Sequence, residues 1–150
     1  MRDLILQKMV QKGLKLTPQR VAIIDFLVKK KPLHPGARLV YKELKNKLKS
    51  LSLSTVYLTL NELEKHGLIK ILEFDKMENR CELNMGTHIN LICDGCHKIM
   101  DYPSLPLHPD DVLEKSHFLV TDTRLECYGL CEQCQERRSF RKAVHGKRLK

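Results

Sequence analysis

The chain has 150 residues, enough for one ordinary domain or two small ones that share stabilisation, and no apolar run approaches the ~20 residues that a bilayer span requires. Its 27 Lys and Arg against 18 Asp and Glu leave a net charge of +9, and scarce aromatics with no Trp exclude a large aromatic core. The charge is unevenly spread: residues 1–77 hold 16 basic and 7 acidic side chains, residues 78–134 hold 4 and 10, and residues 135–150 hold 7 and 1. A basic first half beside an acidic middle implies two modules with different partners. A basic surface suits a polyanion, most often nucleic acid, although a run such as Lys29-Lys30-Lys31 taken alone reads better as a solubility device.

In chain order, Leu4, Ile5, Lys8 and Met9 predict a short helix ending near Gly13. From Thr17 to about Lys30, Val21, Ile24, Leu27 and Val28 recur at helical spacing, with Thr17 as N-cap and Pro18 at the first helical position. Pro32 and Pro35 punctuate a loop, and Ala37, Val40, Tyr41 and Leu44 mark a further helix. Ser52 can cap the next one, whose Val56, Leu60 and Leu63 share a face and which Gly67 can end in a left-handed cap. Leu68–Phe74 has strand character, 75–79 is a turn, and Arg80–Leu83 can return. Helices followed by a β-hairpin in this order predict a winged helix-turn-helix over residues 1–84. In such a fold one helix enters the major groove and flanking basic residues contact phosphates. Ser54, Thr55, Tyr57, Leu58 and Thr59 lie near that helix start, where base contacts arise. An ordinary α+β domain with amphipathic helices has the same periodicity, and the positive charge favours DNA.

The acidic segment reads as strands at Asn90–Cys93, Lys98–Tyr102 and Phe118–Tyr128, with a helix from Pro109 to His117. It carries the sharpest chemical signal in the chain, Cys93-x-x-Cys96 and Cys131-x-x-Cys134, with 34 residues between the pairs. Two cysteines three apart on a tight turn aim their sulfurs at one centre, and four thiolates suit a closed structural Zn²⁺ site. Two disulfides or a redox dithiol are the rival readings. Disulfides fit secreted chains, whereas Arg2, Asp3 and Lys8 interrupt the apolar residues of the first stretch, so a reducing cytoplasm is expected. Zinc would pin the C-terminal turn against the sheet. A four-thiolate set leaves no open coordination position, and no nucleophile or acid/base pair accompanies it, so an enzyme is not expected. Cys81 and Cys127 read as buried small apolar residues. A second constellation, His34, Glu82, His88, Asn90 and Asp101, is weaker. His88 and Asn90 alternate onto one strand face, with Glu82 expected on the neighbouring strand. Two imidazoles with carboxylates suit Fe²⁺, Mn²⁺ or Zn²⁺, although scattered His and Asp residues are usually solvated surface groups.

Several co-linear motifs match a known family: Gly13-Leu-Lys-Leu-Thr-Pro-Gln-Arg20, His34-Pro35, Ser52-Leu-Ser-Thr-Val-Tyr-x-Thr-Leu60, His66-Gly-Leu-Ile69, Ile92-Cys-x-x-Cys-x-Lys-Ile99 and Tyr128-Gly-x-Cys-x-x-Cys134. Across about residues 10–136 the chain resembles the ferric uptake regulators, with features of their peroxide-responsive branch. The resemblance implies an α+β protein: an N-terminal winged helix and a small α/β dimerisation and metal-sensing domain (85–136), here followed by a basic tail (137–150) read as disordered. It implies a homodimeric, metal-dependent transcriptional repressor acting on a palindromic DNA operator, with no membrane association. It places structural Zn²⁺ on Cys93, Cys96, Cys131 and Cys134. A regulatory Fe²⁺ or Mn²⁺ falls on His34, Glu82, His88 and Asp101, with Asn90 where a ligand histidine is common. DNA contacts fall at Lys15, Arg20 and Tyr57, beside Ser54 and Thr55 at the helix start. In peroxide sensors of the family, bound Fe²⁺ reacts with peroxide and a ligand histidine is oxidised. Glu82 where those sensors carry aspartate, Asn90, and Leu58 where an arginine often follows the tyrosine are departures. A zinc- or manganese-responsive regulator is the alternative within the family, and a zinc-stabilised nucleic-acid or protein adaptor is the alternative outside it.

Overall fold

The structure is a computed structural model that describes residues 1–75, 77–103, 117–119 and 123–138. It divides into two compact units, Met1–Met85 and Gly86–Lys150. Among the described residues no helix is long and apolar enough to cross a membrane.

The first unit holds α1 (Arg2–Gln11), α2 (Pro18–Lys29), a 3-10 turn (Lys31–Leu33), α3 (Ala37–Leu44), α4 (Leu53–Lys65) and a hairpin of β1 (Lys70–Leu72) and β2 (Arg80–Glu82). Local chemistry sets the helix ends. The Thr17 hydroxyl accepts from the Arg20 amide, and Pro18 occupies the first turn, where its missing N–H costs nothing. Ser52 accepts from the Thr55 amide at 3.0 Å. At the far end of α4, Gly67 turns left-handed at φ +64°. Its amide bonds Glu64 O, and the Leu68 amide bonds Leu63 O, closing the last carbonyls. These helices pack one apolar cluster in which Met9, Ile23, Ile24, Leu27, Val40, Val56, Leu60 and Leu63 are buried.

The hairpin is shorter than its apolar sequence predicts, for a physical reason at each end. Leu68 has given its N–H to the helix cap, and the Phe74 amide bonds the Asn79 side chain across the turn, so the ladder begins at Lys70 and stops at Leu72. Two further bonds hold the hairpin to the segment before α3. The Cys81 amide donates to Pro35 O at 3.0 Å, and Glu78 Oε1 accepts the Arg38 amide at 2.6 Å, capping the α3 N-terminus. Gly36 leaves room there: a Cβ would meet the Asn79 backbone O at 2.9 Å, besides the Glu78 carboxylate.

The second unit contains a three-stranded sheet ordered β4-β3-β5, from β3 (His88–Cys93), β4 (Ile99–Pro103) and β5 (Leu125–Gly129). β3 pairs antiparallel with β4 and parallel with β5. Residues 132–138 are helical. The long strand expected over Phe118–Tyr128 is confined to Leu125–Gly129; Phe118, Leu119, Thr123 and Arg124 lie outside it, and 120–122 fall outside the described residues. The helix expected over Pro109–His117 also falls outside them, save His117, which sits in a turn. Cys96 lies in the turn after β3 and does not open β4.

Candidate metal centres and nucleic-acid interface

The four-cysteine set is built from two tight turns. Cys93 ends β3, and the chain reverses through Asp94, Gly95 and Cys96. There His97 N bonds Cys93 O, and Cys93 N bonds Lys98 O. Cys131 and Cys134 open the helical stretch, with the Cys134 and Gln135 amides on Cys131 O. Asp94 N to Gly129 O, at 2.7 Å, joins the two turns. The four sulfurs all lie within 4.8 Å of one another, and all six cysteines of the chain are free thiols. A tetrahedron with metal–sulfur bonds of about 2.3 Å has edges of about 3.8 Å. Cys96 and Cys131 Sγ are 3.7 Å apart, which fits a shared zinc and is far too long for a disulfide. Cys93 Sγ accepts the amides of Gly95 and Cys131, as metal-bound thiolates do. Those backbone donors, Cys131 first, pull the Cys93 thiol down to about 6, while burial and the neighbouring sulfurs push Cys134 up to about 12. Four thiolates cannot all be charged at this spacing without a cation, and Zn²⁺ removes that conflict. Bound there, zinc supplies a structural clip with no open position.

Outside the cysteines, the buried titratable side chains among the described residues are His34 and Glu82. His34 follows the 3-10 turn in the left-handed region (φ 44°, ψ 65°), uncommon for a non-glycine residue. Its Nε2 lies 2.9 Å from Glu82 Oε2, and both side chains are 1% exposed. The other carboxylate oxygen takes the Asn84 amide. Glu82 belongs to β2, whose partner is β1, so it does not stand on a strand beside His88 and Asn90 as the sequence led us to expect. Neighbouring Cys81 is buried as expected, and burial first, then Glu78 and Glu64, push its thiol up to about 12. It is a neutral packing residue. Cys127 corrects the matching expectation: it is exposed on β5, where one sheet does not cover both faces.

In the second unit, Asn90 and Asp101 are directly opposed across β3 and β4, and His88 lies two residues along the same face. The His88 Nδ1–H donates to Gly86 O at 2.8 Å, which turns Nε2 away from that carbonyl. Asn90 is buried, and its Oδ1 has no hydrogen-bond partner among the described residues. A buried amide oxygen of this kind calls for a donor or a cation.

The residues expected to meet DNA lie on and beside α4. Ser54 and Tyr57 face solvent, and Lys15 is exposed on the loop before α2. Thr55 is half-buried, its hydroxyl 2.8 Å from that of Ser52, so it serves the helix cap. Arg20 bonds Lys15 O at 3.1 Å and forms an ion pair with Glu62 of α4, tying the basic loop to that helix. Gln19 does the same for the preceding loop through Ser50 O. Sequence reasoning missed Glu62, Gln19 and Glu78 because each acts on a residue tens of positions away. Gly95 could have been found, since a glycine just before the second cysteine of a pair marks a turn that a side chain would obstruct. A Cβ there would lie 2.9 Å from Cys134 Sγ.

Comparison with known proteins agrees with this geometry. Residues 11–128 match the model of the ferric uptake regulator family. The peroxide operon regulator of Bacillus subtilis is 34% identical over 134 residues, covering 88% of this chain and 92% of its own. Among solved structures, the Helicobacter pylori ferric uptake regulator, described as having three functional metal binding sites, superposes with a TM-score of 0.75 at 26% identity over 90% of this chain and 94% of that one. The Campylobacter jejuni peroxide stress regulator does so at 0.68 and 28%, over 86% and 98%. With a cysteine cluster suited to structural zinc, a helical first unit and this match along most of its length, the chain belongs to the ferric uptake regulator family of metal-responsive transcriptional repressors.

Proposed function

We propose that this protein is a homodimeric, cytoplasmic repressor that binds a palindromic DNA operator when Fe²⁺ or Mn²⁺ occupies His34, Glu82, His88 and Asp101, with Asn90 as a further ligand. The observation that carries the reading is the buried His34–Glu82 pair, an imidazole and a carboxylate at 2.9 Å. Two neighbouring ligands at right angles around a metal, each at about 2.1 Å, stand about 3 Å apart. The pair is therefore spaced to take a cation in place of the shared proton. On the second unit, Asn90 and Asp101 offer oxygen and His88 a nitrogen from one sheet face, a donor set that favours Fe²⁺ or Mn²⁺ over a thiolate-loving ion. Cys81 is buried in the apolar core of the first unit and alternates along β2 to the face opposite Glu82, which speaks against a zinc sensor that would recruit it. Ligands drawn from both units would let metal favour one arrangement of them. A metal shifts an equilibrium only by its differential affinity for the two states.

DNA would be met by Lys15, Ser54 and Tyr57, with Arg20 and Thr55 acting partly through the loop and cap they hold. The protein acts by binding and not by catalysis; its thiolates fill the zinc. Dimerisation would use the second unit, where β5 exposes Leu125, Cys127 and Tyr128. Peroxide sensing is supported by the Bacillus subtilis relative, named a peroxide operon regulator. The test is His88→Ala, with DNA affinity measured as Mn²⁺ is added. The wild type should gain about 5- to 150-fold; the variant should show no gain while keeping one zinc per chain. A variant that still responds like the wild type would remove His88 from the site.

A further inference from the structure

Helix α4 has two faces. Val56, Thr59, Leu60 and Leu63 are buried in the core of the first unit. Ser54, Tyr57, Leu58 and Asn61, at spacings of three and four, are all exposed and form one stripe along the outer side. Leu58 stands out within it: 67% exposed, against 42% for Tyr57, and the only member without a hydrogen-bonding group. A lone exposed leucine is ordinary on a protein surface. Here, however, it lies in the second turn of the helix that the proposed function assigns to the major groove, and helical side chains lean towards the N-terminus, the end that enters. The surrounding unit carries 17 Lys and Arg against 9 Asp and Glu over residues 1–85, the complement of a polyanion.

Resting on that DNA reading, we propose that Leu58 is a specificity-determining residue that recognises a thymine methyl group in the operator. A leucine can neither donate nor accept a hydrogen bond, so it contributes only through apolar contact. The apolar group that base pairs display in the major groove is the C5-methyl of thymine. Leu58 buried against cytosine N4 or guanine O6 would leave those polar atoms desolvated without a partner, so the side chain discriminates by exclusion as well as by contact. In a symmetric dimer the contact would occur once per half-site.

The test uses the full chain, loaded with zinc and Mn²⁺, and a duplex enriched from a random-sequence pool by the protein itself. Each thymine is replaced in turn by uracil, which lacks only the methyl group. The wild type should lose about fourfold in affinity at one thymine position per half-site. Leu58→Ala, which removes the contact from both half-sites at once, should lose about the square of that factor, roughly 16-fold, on the parent duplex and nothing further on that uracil duplex. Since Leu58 is solvent-facing, the variant should unfold thermally as the wild type does. Uracil losses that persist unchanged in Leu58→Ala, or no uracil effect at any position, would overturn this proposal while leaving DNA binding intact. Failure of the wild type to enrich any duplex would overturn the DNA reading and this inference with it.

Discussion

At the scale of single residues, the cysteine site closes in on a glycine as well as on its sulfurs. A Cβ at Gly95 would press to 2.9 Å from Cys134 Sγ and 3.1 Å from its Cβ, whereas one at Gly129 would meet nothing within 4 Å. Gly95→Ala should therefore lose zinc to a chelator at concentrations the wild type resists, and Gly129→Ala should retain it; zinc per chain after graded chelation reads the difference. Equal retention by both variants would mean that the turn gives way more easily than its geometry implies. The thiols themselves offer a second check. Burial raises Cys81 to about 12, so at neutral pH it is protonated and stays so until the pH approaches that value. Mass spectrometry after alkylation of the native protein at pH 7 should find Cys81 unmodified, and zinc removal should expose Cys93, Cys96, Cys131 and Cys134 to the reagent. Rapid modification of Cys81 would place it outside the core.

At the scale of elements, α4 is held at both ends by interactions visible in its own sequence. Ser52→Ala would remove the acceptor for the Thr55 amide and the partner of its hydroxyl, leaving an N-terminal donor exposed. The expected cost is about 1 kcal/mol, seen as a fall of several degrees in the unfolding temperature of the first unit. An unchanged midpoint would show that water replaces the cap without loss. Thr17, Pro18, Ser52 and Gly67 were legible because capping is local: the residue that ends a helix sits within a few positions of the group it satisfies. The strands were legible in existence and less so in extent. Nothing in Leu68–Phe74 announces that the Leu68 amide belongs to the helix before it or the Phe74 amide to Asn79. Phe118 and Leu119 have strand-like composition, yet they lie outside β5, which begins at Leu125. The four cysteines were legible because each pair is a local turn. His34 and Glu82 are 48 positions apart, so the residues alone offered them only within a weak constellation, which the resemblance to a known family strengthened ahead of the structure.

At the scale of the whole molecule, the charge pattern and the metal chemistry describe one division of labour. The basic first unit carries α4 and its exposed stripe, and the second carries the cysteine clip and the His88–Asn90–Asp101 face. If metal occupancy governs DNA binding, the two chemistries must be coupled, with a free energy of about 1–3 kcal/mol. The direct measurement is the affinity of the zinc-loaded dimer for its selected duplex at fixed ionic strength, as Fe²⁺, Mn²⁺ or Zn²⁺ is titrated with and without peroxide. Mass spectrometry of the recovered protein completes it. The account predicts that Fe²⁺ and Mn²⁺ both tighten binding, that peroxide releases the Fe²⁺ form alone, and that one added oxygen atom appears on His34 or His88. A reversible Fe²⁺ response without that oxygen would make the protein an iron sensor. Tightening by Zn²⁺ alone, or affinity indifferent to every metal, would contradict the account.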